Sequence, residues 1–277
     1  MPRSIVKTKA IVLRGQRLGE TSKLVTLYTQ DYGKIKVTAK GARKPKSKFG
    51  GSLELMNEVH AVCYLRDERD LQTLSDCETL HARPQLTEDL ERLSFGSAAC
   101  ELIDHLTIEG EANRRLYLCL AGVLEGLSEV ESEQTEPLFW YYQLRVSEAL
   151  GYRPELAQCV SCRKELVGPW LWFSAASGGG LCPACGQGNG IRMAGQSLRH
   201  LSHLQEVRSY SKEAIPATPG RRGEIRAALR SFLEYHGGGR GPLRALEFLE
   251  AVTSRTAAAA GGIDGATGGA EEQVDTR

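Results

Sequence analysis

The chain has no apolar run approaching the roughly 18 residues that a membrane-spanning helix needs. Its first residues, "MPRSIVKTKAIVLRG", are interrupted by charge every few positions, so the apolar centre of a signal peptide is missing too. A cytoplasmic protein with no membrane association is expected. Catalytic motifs are also missing. There is no HExxH and no GxSxG, and "GARKPKSKFGG" lacks the G-x4-G-K-[ST] order of a phosphate-binding loop. The six histidines are scattered. His200 and His203 share a helix face without a nearby acidic or cysteine partner, which points to packing or surface rather than metal. No enzyme is expected. The sharpest local absence is of acids: residues 33–51, "GKIKVTAKGARKPKSKFGG", hold no Asp or Glu and seven Lys or Arg.

What is present is a normal globular composition. The 277 residues are 41% hydrophobic, enough for a real core in one large domain or a few small ones. The formal charge of +1 hides a split. Residues 1–50 hold 13 Lys and Arg against Glu20 and Asp31, a net of +11, and the remainder is net −10. Such asymmetry points the basic segment at a polyanion, nucleic acid before others.

Residues 1–80 read as a small β domain of five runs. "SIVKTKAIVL" alternates until Gly15 and Gly19 break it, and "SKLVTLYT" follows. "DYG" is a turn, and "KIKVTAKG" places Ile35, Val37 and Ala39 on one face with Lys34, Lys36 and Lys40 mostly on the other. "GARKPKSKFGG" is a loop, because Pro45 and the flanking glycines exclude a strand. "LELMNEVHAVCYL" is a long run with a bulge near Asn57, "RDERD" a charged turn, and "LQTLSDCETL" the fifth run. From Pro84 the period becomes helical. Thr87 is the candidate N-cap, with Glu88 and Asp89 in the first turn. Leu116, Leu120, Val123 and Leu127 mark a second helix, 128–136 an acidic connector, and Phe139, Tyr142, Val146 and Ala149 a third helix. Residues 196–208, 220–236 and "LRALEFLEAV" are further helices, and 256–277 reads as a disordered tail. These stripes read as helical core rather than a cofactor pocket.

Two stretches carry chemistry. Cys159, Cys162, Cys182 and Cys185 form C-x2-C-x19-C-x2-C, the spacing at which two CxxC turns close a tetrahedral four-thiolate site. One structural Zn2+ is expected in a hairpin element at 156–190; a redox pair and two local disulfides are the rival readings. The other cysteines, Cys63, Cys77, Cys100 and Cys119, read as buried thiols in a reducing compartment. The second stretch is the basic one. Arg14, Lys34, Lys36, Lys40, Arg43, Lys44, Lys46 and Lys48 are the candidate phosphate contacts, with Phe49 as a candidate base stacker. Tyr28, Tyr32 and Tyr64 also lie near enough to stack, although core packing is the commoner role for each. With few base-edge readers, sequence-independent binding is expected.

The order of these features resembles the RecO family of bacterial DNA repair proteins. The resemblance rests on Glu20–Lys23, the "YGKI" turn, "AKGARKPKSKFGG", "LGYRPELAQCVSC", "SGGGLCPAC" and "FLEYH", and it spans most of residues 5–250. The chain departs where the family carries Lys-Ser-Arg before "FL": here it reads "RALEFL", with Arg244 close by. The resemblance implies an α+β chain with an OB-fold at 1–80, a helical domain at 81–155 and 191–255, and the zinc element between them. It further implies binding of single- and double-stranded DNA, strand annealing, and help with RecA loading together with RecR on DNA coated by single-strand-binding protein (SSB), whose acidic tail the family binds. It implies a cytoplasmic, nucleoid-associated protein. A protein-binding adaptor with secondary nucleic-acid affinity and a zinc-ribbon RNA-binding protein are the alternatives.

Overall fold

The computed structural model of the chain describes residues 4–66, 69–238 and 241–261. Asp67 and Glu68 of "RDERD", Gly239 and Arg240, and 262–277 of the expected tail lie outside the described residues.

Strands β1 (Ser4–Leu18), β2 (Ser22–Thr29), β3 (Gly33–Ala39), β4 (Glu58–Leu65) and β5 (Leu71–His81) close into a barrel in the order β1-β2-β3-β5-β4. Only β3 and β5 pair parallel; the other contacts are antiparallel. That circuit is the five-stranded Greek-key barrel of OB-folds. β1 does not break at Gly15 but runs to Leu18, and its extra residue is a bulge at Leu13, between Val12 and Arg14. Four consecutive residues of β1 are buried because both of its faces are covered. Ala10 and Val12 join the barrel core with Val25, Leu27 and Val37. Ile11 and Leu13 join the helical core. The bulge ends this double burial, and Arg14 emerges into solvent.

β4 starts later than its hydrophobic run suggests. Leu53–Asn57 form turns, and Met56 takes a positive φ of 68°. The segment bonds to the β1 backbone at Val12, where the Met56 N–H donates to the Val12 carbonyl and the Val12 N–H to the Asn57 carbonyl, each at 3.0 Å. It buries Leu53 and Met56 in two different cores, so its apolar pattern reflects plugging rather than a strand.

The helical domain contains α1 (Gln85–Glu88), α2 (Leu90–Leu106), α3 (Arg114–Glu129), α4 (Ser132–Ala149), α6 (Gly195–Glu206), α7 (Arg222–His236) and α8 (Arg244–Gly261), with the short α5 (Pro183–Gly186) in the cysteine element. The N-cap of the first long helix is Asp89, whose carboxylate accepts from the Arg92 N–H at 2.8 Å; Thr87 belongs to the separate turn α1. The expected acidic connector is mostly helix, since α3 ends at Glu129 and α4 starts at Ser132. α8 extends through 256–261 of the expected tail. Among the described residues, no helix is long and apolar enough to cross a membrane.

The barrel docks on α2 and α3 through polar groups around an apolar seam. Arg83, 6% exposed, donates to the Met56 carbonyl at 3.0 Å and pairs with Glu58 and Glu125. The Tyr117 hydroxyl donates to Glu58 at 2.8 Å. Lys34 reaches Asp104 of α2 at 3.1 Å. Gly33 sits at φ 64°, and a Cβ there would lie 2.0 Å from the Glu111 carbonyl oxygen, so backbone meets backbone at this corner.

Candidate nucleic-acid interface and metal centre

Residues 40–57 form a chain of tight turns rather than an open loop. The amides of Lys44, Ser47, Gly50 and Ser52 each donate to the carbonyl three positions back. The coil is fixed at its base. Phe49 and Leu53, each 2% exposed, insert into the barrel core, and the Arg43 guanidinium donates to the Gly19 and Glu20 carbonyls at 2.9 Å. Its apolar residues point inward, so Lys40, Arg43, Lys44, Lys46 and Lys48 are left on the outside.

The eight cations and the aromatic singled out in the sequence therefore separate. Arg14, Lys40, Arg43, Lys44 and Lys46 are exposed. Lys48 is exposed, but its ammonium donates to the Ser75 carbonyl and lies 5.3 Å from the Phe49 ring centroid. Lys34 and Lys36 do not share an open face with Lys40. Lys34 is 5% exposed and bound to Asp104, and Lys36 pairs with Glu109 at 2.5 Å. The helical domain covers that side of β3, which strand alternation alone does not reveal. Phe49 is a core residue and has no face free for a base. Tyr28 is likewise buried, with its hydroxyl on the Asn113 carbonyl at 3.4 Å; burial pushes its ionisation up to about 12.

A cleft of about 560 Å³ lies beside the coil. Arg14, Arg17, Arg43 and Lys23 line it on the barrel side, Lys23 paired with Glu54 at 3.0 Å, and Glu101 and Asp104 line it on the α2 side. Glu101 has two basic neighbours, the Arg244 guanidinium and the His105 ring, each at 3.8 Å. The barrel wall thus carries the excess of cations, Arg14 and Arg17 foremost, and the acids of α2 face it, which favours a polyanion on the barrel side. Arg17 belongs to that wall and was absent from the sequence selection; its signal was its position just beyond the Leu13 bulge, where β1 leaves the helical domain.

The cysteine element is a three-stranded sheet, β7 (Gly179–Leu181), β6 (Trp170–Ser174) and β8 (Ile191–Ala194) in spatial order, with two CxxC turns at one end. The Sγ atoms of Cys159, Cys162, Cys182 and Cys185 lie within 4.8 Å of one another, and all four are free thiols. Cys162 and Cys182 sulfurs stand 3.7 Å apart. A tetrahedral ion with bonds of about 2.3 Å separates its sulfurs by about 3.8 Å, whereas a disulfide needs about 2.05 Å. The four cysteines are positioned to bind a metal ion. Burial raises the Cys159 thiol, but the backbone N–H groups of Cys182, Cys162 and Ser161 converge on it and bring it down to about 6. Cys63, Cys77 and Cys100 lack such donors, and burial pushes each up to about 12. Cys119 is only half-buried. The second turn depends on Gly186, where a Cβ would lie 2.6 Å from the Trp172 Cβ.

The chain matches two family models, recombination protein O N terminal over residues 1–83 and recombination protein O C terminal over 87–247. The DNA repair protein RecO of Pelotomaculum thermopropionicum is 35% identical over 234 residues, 84% of this chain and 89% of that protein. Its counterpart from Symbiobacterium thermophilum is 31% identical over 255 residues, 91% of this chain and 99% of that protein. The protein of the same name from Salinibacter ruber is 34% identical over 234 residues, 84% of this chain and 88% of that protein. The chain belongs to the recombination protein O family of DNA repair proteins.

Proposed function

We propose that the chain is a non-enzymatic mediator that binds single- and double-stranded DNA, anneals complementary strands and assists RecA loading with RecR on SSB-coated DNA. The observation that carries this reading is the turn coil at 40–57. Phe49, Leu53 and Arg43 fix it, so Lys40, Lys44 and Lys46 are held outward beside the Arg14 and Arg17 wall without pairing to acids among the described residues. Fixed cations on a barrel rim track a phosphate backbone without reading bases, which suits a protein that must accept any sequence. The four thiols hold one structural zinc, which leaves no open coordination position for catalysis. Support for the SSB tail comes from an apolar pocket between α2, α4, α7 and α8. Leu102, Phe139 and Leu233 line it, which suits the aromatic end of such a tail. Arg230 is exposed at its rim to meet an acid of the tail, while Glu234 and Glu250 beside it limit where the other acids can lie. The protein works in the cytoplasm, on the nucleoid.

The test is strand annealing of complementary oligonucleotides with and without SSB. Replacing Lys40, Lys44 and Lys46 with Glu abolishes annealing in both arms while metal content stays at one zinc per chain. Annealing at the parent rate would overturn the assignment. Preference for RNA over single-stranded DNA would favour the zinc-ribbon RNA-binding alternative.

A further inference from the structure

The cysteine element carries a cationic platform separate from the barrel. On β6, Leu171 and Phe173 face the core, and Trp170 and Trp172 face the other way. Trp172 packs on the Gly186 turn. Trp170 pairs across the sheet with Ala194, one register step of two residues from Arg192. The Arg192 guanidinium lies 4.3 Å from the Trp170 ring centroid, and that of Arg221, at the start of α7, lies 5.0 Å from it. Both arginines are exposed, and among the described residues neither has a carboxylate or hydrogen-bond partner. Arg199, also exposed, follows Gly195, whose backbone abuts the Gly168 carbonyl next to this strand. The nearby Glu224 is already committed to the Ala194 N–H and the Ser197 hydroxyl.

Two guanidiniums gathered on one indole repel each other unless something compensates. The ring face supplies part of that compensation, and the exposed guanidiniums keep N–H donors for an anion. A phosphate takes such donors in pairs. The cluster carries charge of one sign and lies on a different sheet from the barrel. Its anchor, Trp170, sits in β6, paired with Ala194 of β8. We infer that Arg192, Trp170 and Arg221 form a second nucleic-acid contact, which holds the backbone of a strand, or a stretch of strand, beyond the one on the barrel. This inference rests on reading the chain as DNA-binding. It adds that the cysteine element contributes contacts of its own.

The experiment uses the full chain with metal bound. It follows tryptophan fluorescence and affinity for oligo(dT) of about 10 nucleotides, within one barrel's footprint, and of about 40 nucleotides, which reaches further. Arg192→Gln with Arg221→Gln is expected to weaken binding of the longer strand about tenfold. It should lower the magnitude of its salt slope by about 1.4, two phosphates at about 0.7 each. The shorter strand should bind as before. Trp170→Phe should remove most of the quench caused by the longer strand, because Trp140 is buried and Trp172 is packed on Gly186. Arg192→Lys with Arg221→Lys keeps charge but loses the forked donors, and should retain the slope with reduced affinity. Unchanged affinity, slope and quench in the Gln variant, with the barrel variant still losing both strands, overturns this inference alone. Quenching by poly-glutamate in place of DNA overturns it in favour of an acidic protein partner.

Discussion

Lys34 and Lys44 carry the same charge, but only Lys44 faces water; Lys34 is closed under α2 with Asp104. Their substitutions should therefore differ in kind. Lys34→Ala strands the Asp104 carboxylate and is expected to cost about 2–3 kcal/mol, less than a fully buried pair because Asp104 keeps some water. Its DNA salt slope should match the parent's. Lys44→Ala should leave the denaturation midpoint in place and reduce the slope by about 0.7. Urea titration and binding measured across salt concentrations check both. His200 offers a separate handle. Desolvation, and then the like charge of His203, hold it below the ordinary histidine value; its Nε2 is buried without a hydrogen-bond partner, and its ring meets Trp140 edge-on at 5.6 Å. A depressed folded value means that the unfolded chain binds the proton more readily. Stability is therefore intact above about pH 6.5 and declines as pH falls below it. In His200→Gln the loss of melting temperature between pH 7.5 and 5.5 should shrink; an unchanged loss would assign the acid sensitivity to other groups.

At the scale of elements, the structure turns on segments that are pinned at one end. Gly33→Ala would drive a methyl into the Glu111 carbonyl at a positive φ, and the barrel–helix corner would have to open. A loss of more than about 2 kcal/mol in urea is expected, with binding per folded molecule unchanged. Cys182→Ser should remove the metal and loosen 156–190 while the barrel stays protected in hydrogen exchange, because its closure uses none of those residues. Elements with a strong local signature were legible in the sequence. The apolar run of β2, the alternation of β3, the stripe of α3 and the doubled CxxC each state their structure through side chains close in sequence. What was hidden depends on partners distant in the chain. The coil at 53–57 looks like a strand because Leu53 and Met56 serve two different cores. The buried Lys34 looks like part of a basic face because its cover, α2, lies far along the sequence. Phe49, in a stretch with seven cations, looks like a base stacker, but the turn coil needs it as an anchor.

For the whole molecule, the near-neutral total is an arrangement rather than an average. The basic segment folds into a barrel, spends Lys34 and Lys36 on the acidic helical domain, and keeps Lys40, Lys44 and Lys46 for solvent. The acids of α2 form the far wall of the cleft and restrict where a polyanion can lie. If about five exposed cations of the Arg14–Lys48 set meet phosphates, the affinity for single-stranded DNA falls with salt at a slope near −3.5 on log–log axes. The most direct measurement is that slope for oligo(dT), taken on the parent and on the Lys40→Ala, Lys44→Ala, Lys46→Ala variant at equal metal content. The variant should retain a slope of about −1.4, three phosphate contacts fewer, and bind more weakly at every salt concentration. Equal slopes and equal affinities in the two proteins would contradict the assignment of the turn coil as the DNA-holding surface.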